Sequence, residues 1–134
     1  MSKQTKIVLE QEVLNVDIPD IAAAFGSDPN GLQECMAKVQ EELERIRLYP
    51  DREGKGCEYE PLKSAGYRKV KVYSSQSLQR AQGKTPDMRI IYRYDDTADT
   101  VRVDSIGFRV KDKPRPDHDP YSKAEQRVRE RQQD

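Results

Sequence analysis

Apolar and polar positions follow two periods along this chain, and the stretch from Met88 to Arg109 carries the clearest alternation. Met88-Arg89-Ile90-Ile91-Tyr92-Arg93-Tyr94 and Thr100-Val101-Arg102-Val103-Asp104-Ser105-Ile106-Gly107-Phe108-Arg109 are rich in β-branched and aromatic residues, and they flank the cluster Asp95-Asp96-Thr97-Ala98-Asp99. This spacing predicts an antiparallel hairpin whose loop is longer than two residues. Side chains alternate faces along a strand, so Ile90, Tyr92 and Tyr94 point one way and Arg89, Ile91 and Arg93 the other. Tyr67–Tyr73 repeats the pattern, with Val70 and Val72 on one face and Tyr67, Lys69, Lys71 and Tyr73 on the other. Lys6-Ile7-Val8-Leu9-Glu10 predicts a short edge strand.

Elsewhere the period is helical. Asp17 stands at an N-cap position, Pro19 fits a first turn, and Ile18, Ile21, Ala22 and Phe25 recur at helical spacing before Gly26. Asp28-Pro29 repeats the cap-then-proline signal, and Leu32, Cys35, Met36, Val39, Leu43 and Ile46 carry the stripe to Tyr49-Pro50. The charged opposite face of that helix reads as solvated surface. Asp51–Lys63 and Ser74–Asp87 are polar connections, the second a long, mobile one. Lys111–Pro120 has three prolines and no apolar period, which predicts an extended linker. Beyond it, Ser122 and Glu125 form a capping box for a polar helix marked only by Tyr121, Ala124 and Val128. A helix so sparsely apolar needs a surface to dock on.

The order strand, helix, helix, then three strands predicts an α+β fold, a helical hairpin packed on one face of a small twisted antiparallel sheet with an extended C-terminal tail. The division that follows is 1–110 for the domain and 111–134 for the linker and helix. Val70, Val72, Ile90, Tyr92 and the helix stripe make the core. Lys69, Lys71, Arg89 and Arg93 then share the uncovered face, either as a positive concavity or as the solvated guard of an edge strand. Arg89 and Arg93 also have Asp104 and nearby carboxylates within cross-strand reach.

Composition adjusts this reading. With 134 residues there is room for one modest core. Charged residues make up 36% of the chain, yet Lys plus Arg equals Asp plus Glu at 24 each, so net charge gives no prior for a polyanionic partner. Acidic residues gather in Glu34–Glu60 and basic ones in Lys63–Arg93 and Arg102–Lys113. Cys35 and Cys57 lack metal or redox spacing, no apolar run is long enough to cross a bilayer, and no secretory leader is legible, so a reduced cytoplasmic protein is expected. His118 lies between Asp117 and Asp119, but adjacent residues of an extended linker rarely converge on one ion, and no metal or cofactor is assigned.

Lys-Val-Lys on a strand, Met-Arg-Ile-Ile-Tyr-Arg-Tyr-Asp-Asp, then Ser105-Ile106-Gly107-Phe108-Arg109 and Tyr121-Ser122-Lys123-Ala124 after a helical hairpin resemble the RelE/ParE superfamily of bacterial toxins, the RelE branch in particular, over about Gly31–Arg127. The resemblance implies metal-independent cleavage of messenger RNA on the ribosome and inhibition by a cognate antitoxin. It places the catalytic positions on Lys69, Lys71, Arg89, Arg109 and Tyr121, with Arg68 and Arg93 as neighbouring RNA contacts. The residue types suit that chemistry. Cleavage by the ribose 2′-OH needs a proton acceptor, positive charge on the transition state and a group to stabilise the leaving 5′-oxygen, and a tyrosine ring can stack on a base. The alternative within the same fold is a non-catalytic or ParE-like protein that inhibits a protein target such as DNA gyrase. Because the proline-rich insertion separates Arg109 from Tyr121, the tail must fold back for the five to meet.

Overall fold

The computed structural model describes residues 5–75, 86–110 and 116–133. In chain order these form β1 (Lys6–Leu9), a π-helical turn (Val13–Asp17) running straight into α1 (Ile18–Phe25), α2 (Pro29–Leu48), β2 (Lys55–Gly56), β3 (Tyr67–Val72), β4 (Met88–Asp95), β5 (Thr100–Phe108) and α3 (Pro120–Gln133). The architecture is α+β, as expected, with the sheet ordered β1-β5-β4-β3-β2. β3, β4 and β5 form the antiparallel meander, whereas β1 runs parallel to β5, which makes the sheet mixed. The middle of the long Ser74–Asp87 connection and the first half of the proline-rich linker lie outside the described residues.

Local chemistry accounts for the elements. Asp28 caps α2, its carboxylate accepting from Gly31 N at 3.0 Å, and Gly26 ends α1 at φ +51°. In the hairpin loop the Asp95 carboxylate accepts from the N–H groups of Thr97 and Ala98. Asp104 has no partner on β4: Ile91 pairs with Ser105 but Tyr92 with Val103. This bulge resets the strand's parity, so Val101, Val103, Ile106 and Phe108 all meet the face covered by α1 and α2. The main core lies there, with the α2 stripe Cys35, Val39 and Ile46 against Val70, Val72, Ile90 and Tyr92. Gly54, at φ +72°, presses against β3 so closely that a Cβ would strike the Lys69 carbonyl.

Three expectations are corrected. First, the C-terminal helix, which finds the docking surface it needs, is capped elsewhere than expected: α3 lies on the second face of the sheet, where Tyr121, Ala124 and Val128 pack with Tyr67, Ile91, Leu62 and Cys57. Its cap is Asp119, not Ser122. The buried Asp119 carboxylate accepts from Tyr121 N (2.9 Å) and Val110 N (2.8 Å), so Asp119-Pro120 repeats the Asp28-Pro29 signal. Second, Asp104 takes its ion pair from Arg131 of α3 at 2.7 Å, and Arg89 and Arg93 are left out of it. Third, Asp17 caps nothing. Its backbone is already helical, and its fully buried carboxylate receives Lys123 Nζ (2.9 Å), a two-pronged Arg127 guanidinium (2.9 and 3.0 Å) and Ile106 N (2.9 Å).

Breaking a buried ion pair by deleting one partner strands the other charge, at a cost of about 3–5 kcal/mol. Asp17→Ala should therefore lower the unfolding free energy by about that amount in urea titrations, whereas Asp20→Ala, on a 61% exposed side chain 3.7 Å from Lys123, should change it by less than about 1 kcal/mol. Glu42, buried on α2, has its pKa raised above 4.5 by burial first and by the neighbouring Glu53. Its protonated form is favoured by folding, so its contribution is fully present below pH 4.5 and is lost as pH rises through the raised value. Glu42→Gln should flatten the stability profile across that rise, as read by chemical denaturation at a series of pH values.

Candidate functional site

Strand parity puts Tyr67, Lys69 and Lys71 of β3 and Arg89 and Ile91 of β4 on the face away from α1 and α2. One end of that face, around Tyr67 and Ile91, is roofed by α3. The other end opens into a cleft of about 320 Å³ lined by Lys69, Lys71, Arg89, Arg109 and Tyr121, with walls from Cys57, Glu58, Tyr59, Leu62 and Glu125. The five residues that the resemblance placed at catalytic positions thus line one hollow.

The register explains the grouping. Lys71 lies directly opposite Arg89, which lies opposite Gly107, so the two cations sit side by side on adjacent strands. Lys69 follows two residues before Lys71 on the same face, about 7 Å away along β3. Its ammonium stands 5.7 Å from the centre of the Tyr121 ring and 3.8 Å from the exposed carboxylate of Glu58. Arg109 emerges just past β5, where its N–H bonds to the Asp87 carbonyl at 2.8 Å. Asp87 in turn accepts from both the N–H and the hydroxyl of Ser74, clasping the two ends of the long connection beside the cleft. Tyr121 reaches the cleft because Asp119-Pro120 starts α3 above β5, where the Ser105 hydroxyl donates to the Pro120 carbonyl at 2.7 Å.

Arg89 is the floor. It is 2% exposed, and its Nη1 donates to the carbonyls of Met88 (2.8 Å) and Pro86 (3.1 Å). Its Nε is buried with no hydrogen-bond partner, and no carboxylate forms an ion pair with it, among the described residues. Neither Lys71 nor Arg109 forms an ion pair among those residues either. A desolvated guanidinium without a counterion is unfavourable unless an anion arrives, and its planar fork suits phosphate oxygens. Burial pushes the Tyr121 phenol up, against the opposing pull of Arg89 and Arg109, so the ring enters the site protonated. Burial likewise raises the Cys57 thiol to about 11, which leaves a neutral wall rather than a nucleophile.

Arg68 and Arg93 do not join the cleft. Arg68 lies on the α2 side of β3, where it donates to the carbonyls of Glu53 (3.2 Å) and Gly54 (2.9 Å) and to the Tyr92 hydroxyl (3.3 Å). Arg93 shares the face of Arg89, but it stands four residues along, about 13 Å away, opposite Arg102 near the hairpin loop. Glu58 and Tyr59 line the cleft without any signal in the sequence, and Glu125, expected in a capping box, lines it too, since nothing in a polar loop or on a charged helix marks a residue as facing a site. Lys123, Arg127 and Arg131 carried a legible signal: they recur every four residues, forming one cationic edge of α3.

The fold, three helices on a five-stranded mixed sheet, is that of the E. coli RelE toxin. An E. coli toxin RelE arginine-to-alanine double mutant in the free state superposes at a TM-score of 0.55, with 16% identity over 94% of this chain and 99% of that one. The isolated E. coli RelE toxin gives a TM-score of 0.48 and 18% identity over 92% and 98% of the two chains. No protein-family model matches the sequence, and no curated protein matches it. No helix of the described residues is long and apolar enough to cross a membrane.

A cleft holding three cations without ion pairs among the described residues should take up a simple oxyanion. Inorganic phosphate at about ten times its dissociation constant should stabilise the protein by about 1.4 kcal/mol, read as a rise in melting temperature. Lys71→Ala and Arg109→Ala should shrink that rise, whereas Arg93→Ala should leave it intact.

Proposed function

We propose that this protein is a RelE-type toxin, an endoribonuclease that cuts messenger RNA at the ribosome without a metal. The observation that carries the proposal is the buried Arg89 guanidinium, free of any carboxylate among the described residues, at the floor of a cleft bordered by three further cations and a tyrosine ring. Such a site selects a phosphate flanked by something flat. In this reading Lys69 or Lys71 takes the proton of the ribose 2′-hydroxyl, whose oxygen attacks the adjacent phosphorus. Arg89 holds the non-bridging oxygens, and Arg109 stabilises the 5′-oxygen as its bond to phosphorus breaks and that oxygen takes up a proton from water. Tyr121 stacks on a base and holds the linkage in line. The products are a 2′,3′-cyclic phosphate and a 5′-hydroxyl end. A cognate antitoxin holds the protein inactive, and the cytoplasm is the compartment where both partners occur.

Zero net charge restricts the reading. Non-specific attraction to RNA is weak without excess cations, so positioning falls to the ribosome and to the local cluster. Removing a group that stabilises transition-state charge typically costs about a hundredfold or more in rate. Arg109→Ala and Lys71→Ala, both exposed side chains whose loss spares the core, should abolish growth inhibition on induction and lower ribosome-dependent cleavage by about that factor, with unchanged circular dichroism. The cleavage assay maps new 5′-hydroxyl ends on ribosome-bound message. Growth inhibition by the parent without such ends would mean a protein target instead.

A further inference from the structure

The sheet has a second margin, on the side far from the cleft. β1 is its terminal strand, and among the described residues nothing pairs with its outer side. Lys6 N and Glu10 N donate inward to the carbonyls of Asp99 (3.1 Å) and Val103 (3.0 Å) of β5. Alternation along a strand then turns the N–H and C=O groups of Ile7 and Leu9 outward. Val8, 38% exposed, lies in the same stretch as two other exposed apolar side chains, Leu14 and Val16.

We propose that this edge binds a second copy of the chain, β1 pairing antiparallel with its symmetry mate about a two-fold axis through Val8. In this register Ile7 and Leu9 of one copy face Leu9 and Ile7 of the other as hydrogen-bonded pairs, which uses all four outward backbone groups of each strand. Val8 meets Val8 as the closer, non-hydrogen-bonded pair. Lys6 stands opposite Glu10 of the mate, at both ends, by the same symmetry. The charge order of the strand selects this arrangement. Two-fold pairing about Ile7 or Leu9 would set Lys6 or Glu10 against Val8, and parallel in-register pairing would oppose Lys6 to Lys6 and Glu10 to Glu10. A single lysine on an edge strand commonly repels other strands. Here it meets its complement, because Glu10, already 3.5 Å from Arg102 and 3.7 Å from Arg131, gains a third cation. The result is a continuous ten-stranded sheet with a cleft over each outer half, and it does not rest on the functional reading above.

Sedimentation velocity on the full chain from about 5 to about 500 μM, the range in which small interfaces associate, should show the mass rising from 15.5 kDa toward twice that value. Lys6→Glu, which places like charges opposite each other twice, should raise the concentration needed by about tenfold or more. Register is read by cross-linking: Val8→Cys should form an intermolecular disulfide under mild oxidation, since facing Cβ atoms of such a pair lie about 5 Å apart. Lys6→Cys should not, because the two positions are offset by about 13 Å along the strands. The native Cys35 and Cys57 are buried and stay out of the reaction. A mass of 15.5 kDa throughout the range, or equal cross-linking of the two cysteine variants, overturns the proposal.

Discussion

The buried carboxylate of Asp17 is where the layers of this molecule are joined. β1 ends alongside Val103, but β5 runs on, and its Ile106 N–H would face no strand. Asp17 fills that place with a side-chain oxygen, as the next strand's carbonyl would have done. The same carboxylate receives Lys123 and Arg127 from the helix on the opposite face of the sheet. Desolvating three ions costs several kcal/mol each, so the arrangement holds only because every carboxylate lone pair has a donor and the guanidinium docks two-pronged. The Arg127 guanidinium also donates to the Asp104 carbonyl at 2.6 Å, at the bulge that resets β5.

The cleft depends on that junction. α3 has too few apolar residues to be stable by itself, and its docking rests on Tyr121, Ala124 and Val128 together with the ion pairs of Lys123, Arg127 and Arg131. Once docked it does two things to the sheet face. It covers the apolar end near Ile91, and it brings Tyr121 and Glu125 up as a wall beside Lys69, Lys71, Arg89 and Arg109. Cations on one side of the molecule are thereby treated in opposite ways. Those of α3 are matched by Asp17, Asp104, Glu10 and Glu12, whereas in the cleft Lys69 has Glu58 and, among the described residues, Lys71, Arg89 and Arg109 have no ion-pair partner. A chain of zero net charge can thus present a hollow in which four cations outnumber two acids, Glu58 and Glu125, because many of its acids lie on α2 or hold α3.

Holding charge unpaired is a structural cost, and the sheet distributes it. Arg89 is placed by two backbone carbonyls rather than by a carboxylate, which fixes its position without neutralising it. The Ser74–Asp87 clasp and the Arg109–Asp87 backbone bond set the neighbouring chain ends in the same way. Rigid backbone partners leave the donors aimed at the space a ligand would fill, which is the requirement for electrostatic stabilisation of a transition state.

The sequence by itself determined whatever depends on a few consecutive residues. The two stripes of α1 and α2, the hairpin, and the parity that sets Lys69 and Lys71 opposite Val70 and Val72 all follow from backbone periods of 3.6 and 2. Together with the resemblance, they brought five scattered residues to the cleft they line. Only the tertiary structure decided that Asp17 is an ion-pair centre rather than a cap, that Arg68 is consumed by the carbonyls of Glu53 and Gly54, and on which face of the sheet the polar C-terminal helix docks. Each of these turns on partners far apart along the chain, Asp17 and Arg127 by 110 residues. A local pattern shows which way a side chain faces, and only the assembled layers settle whether it meets water, carbon or an opposite charge.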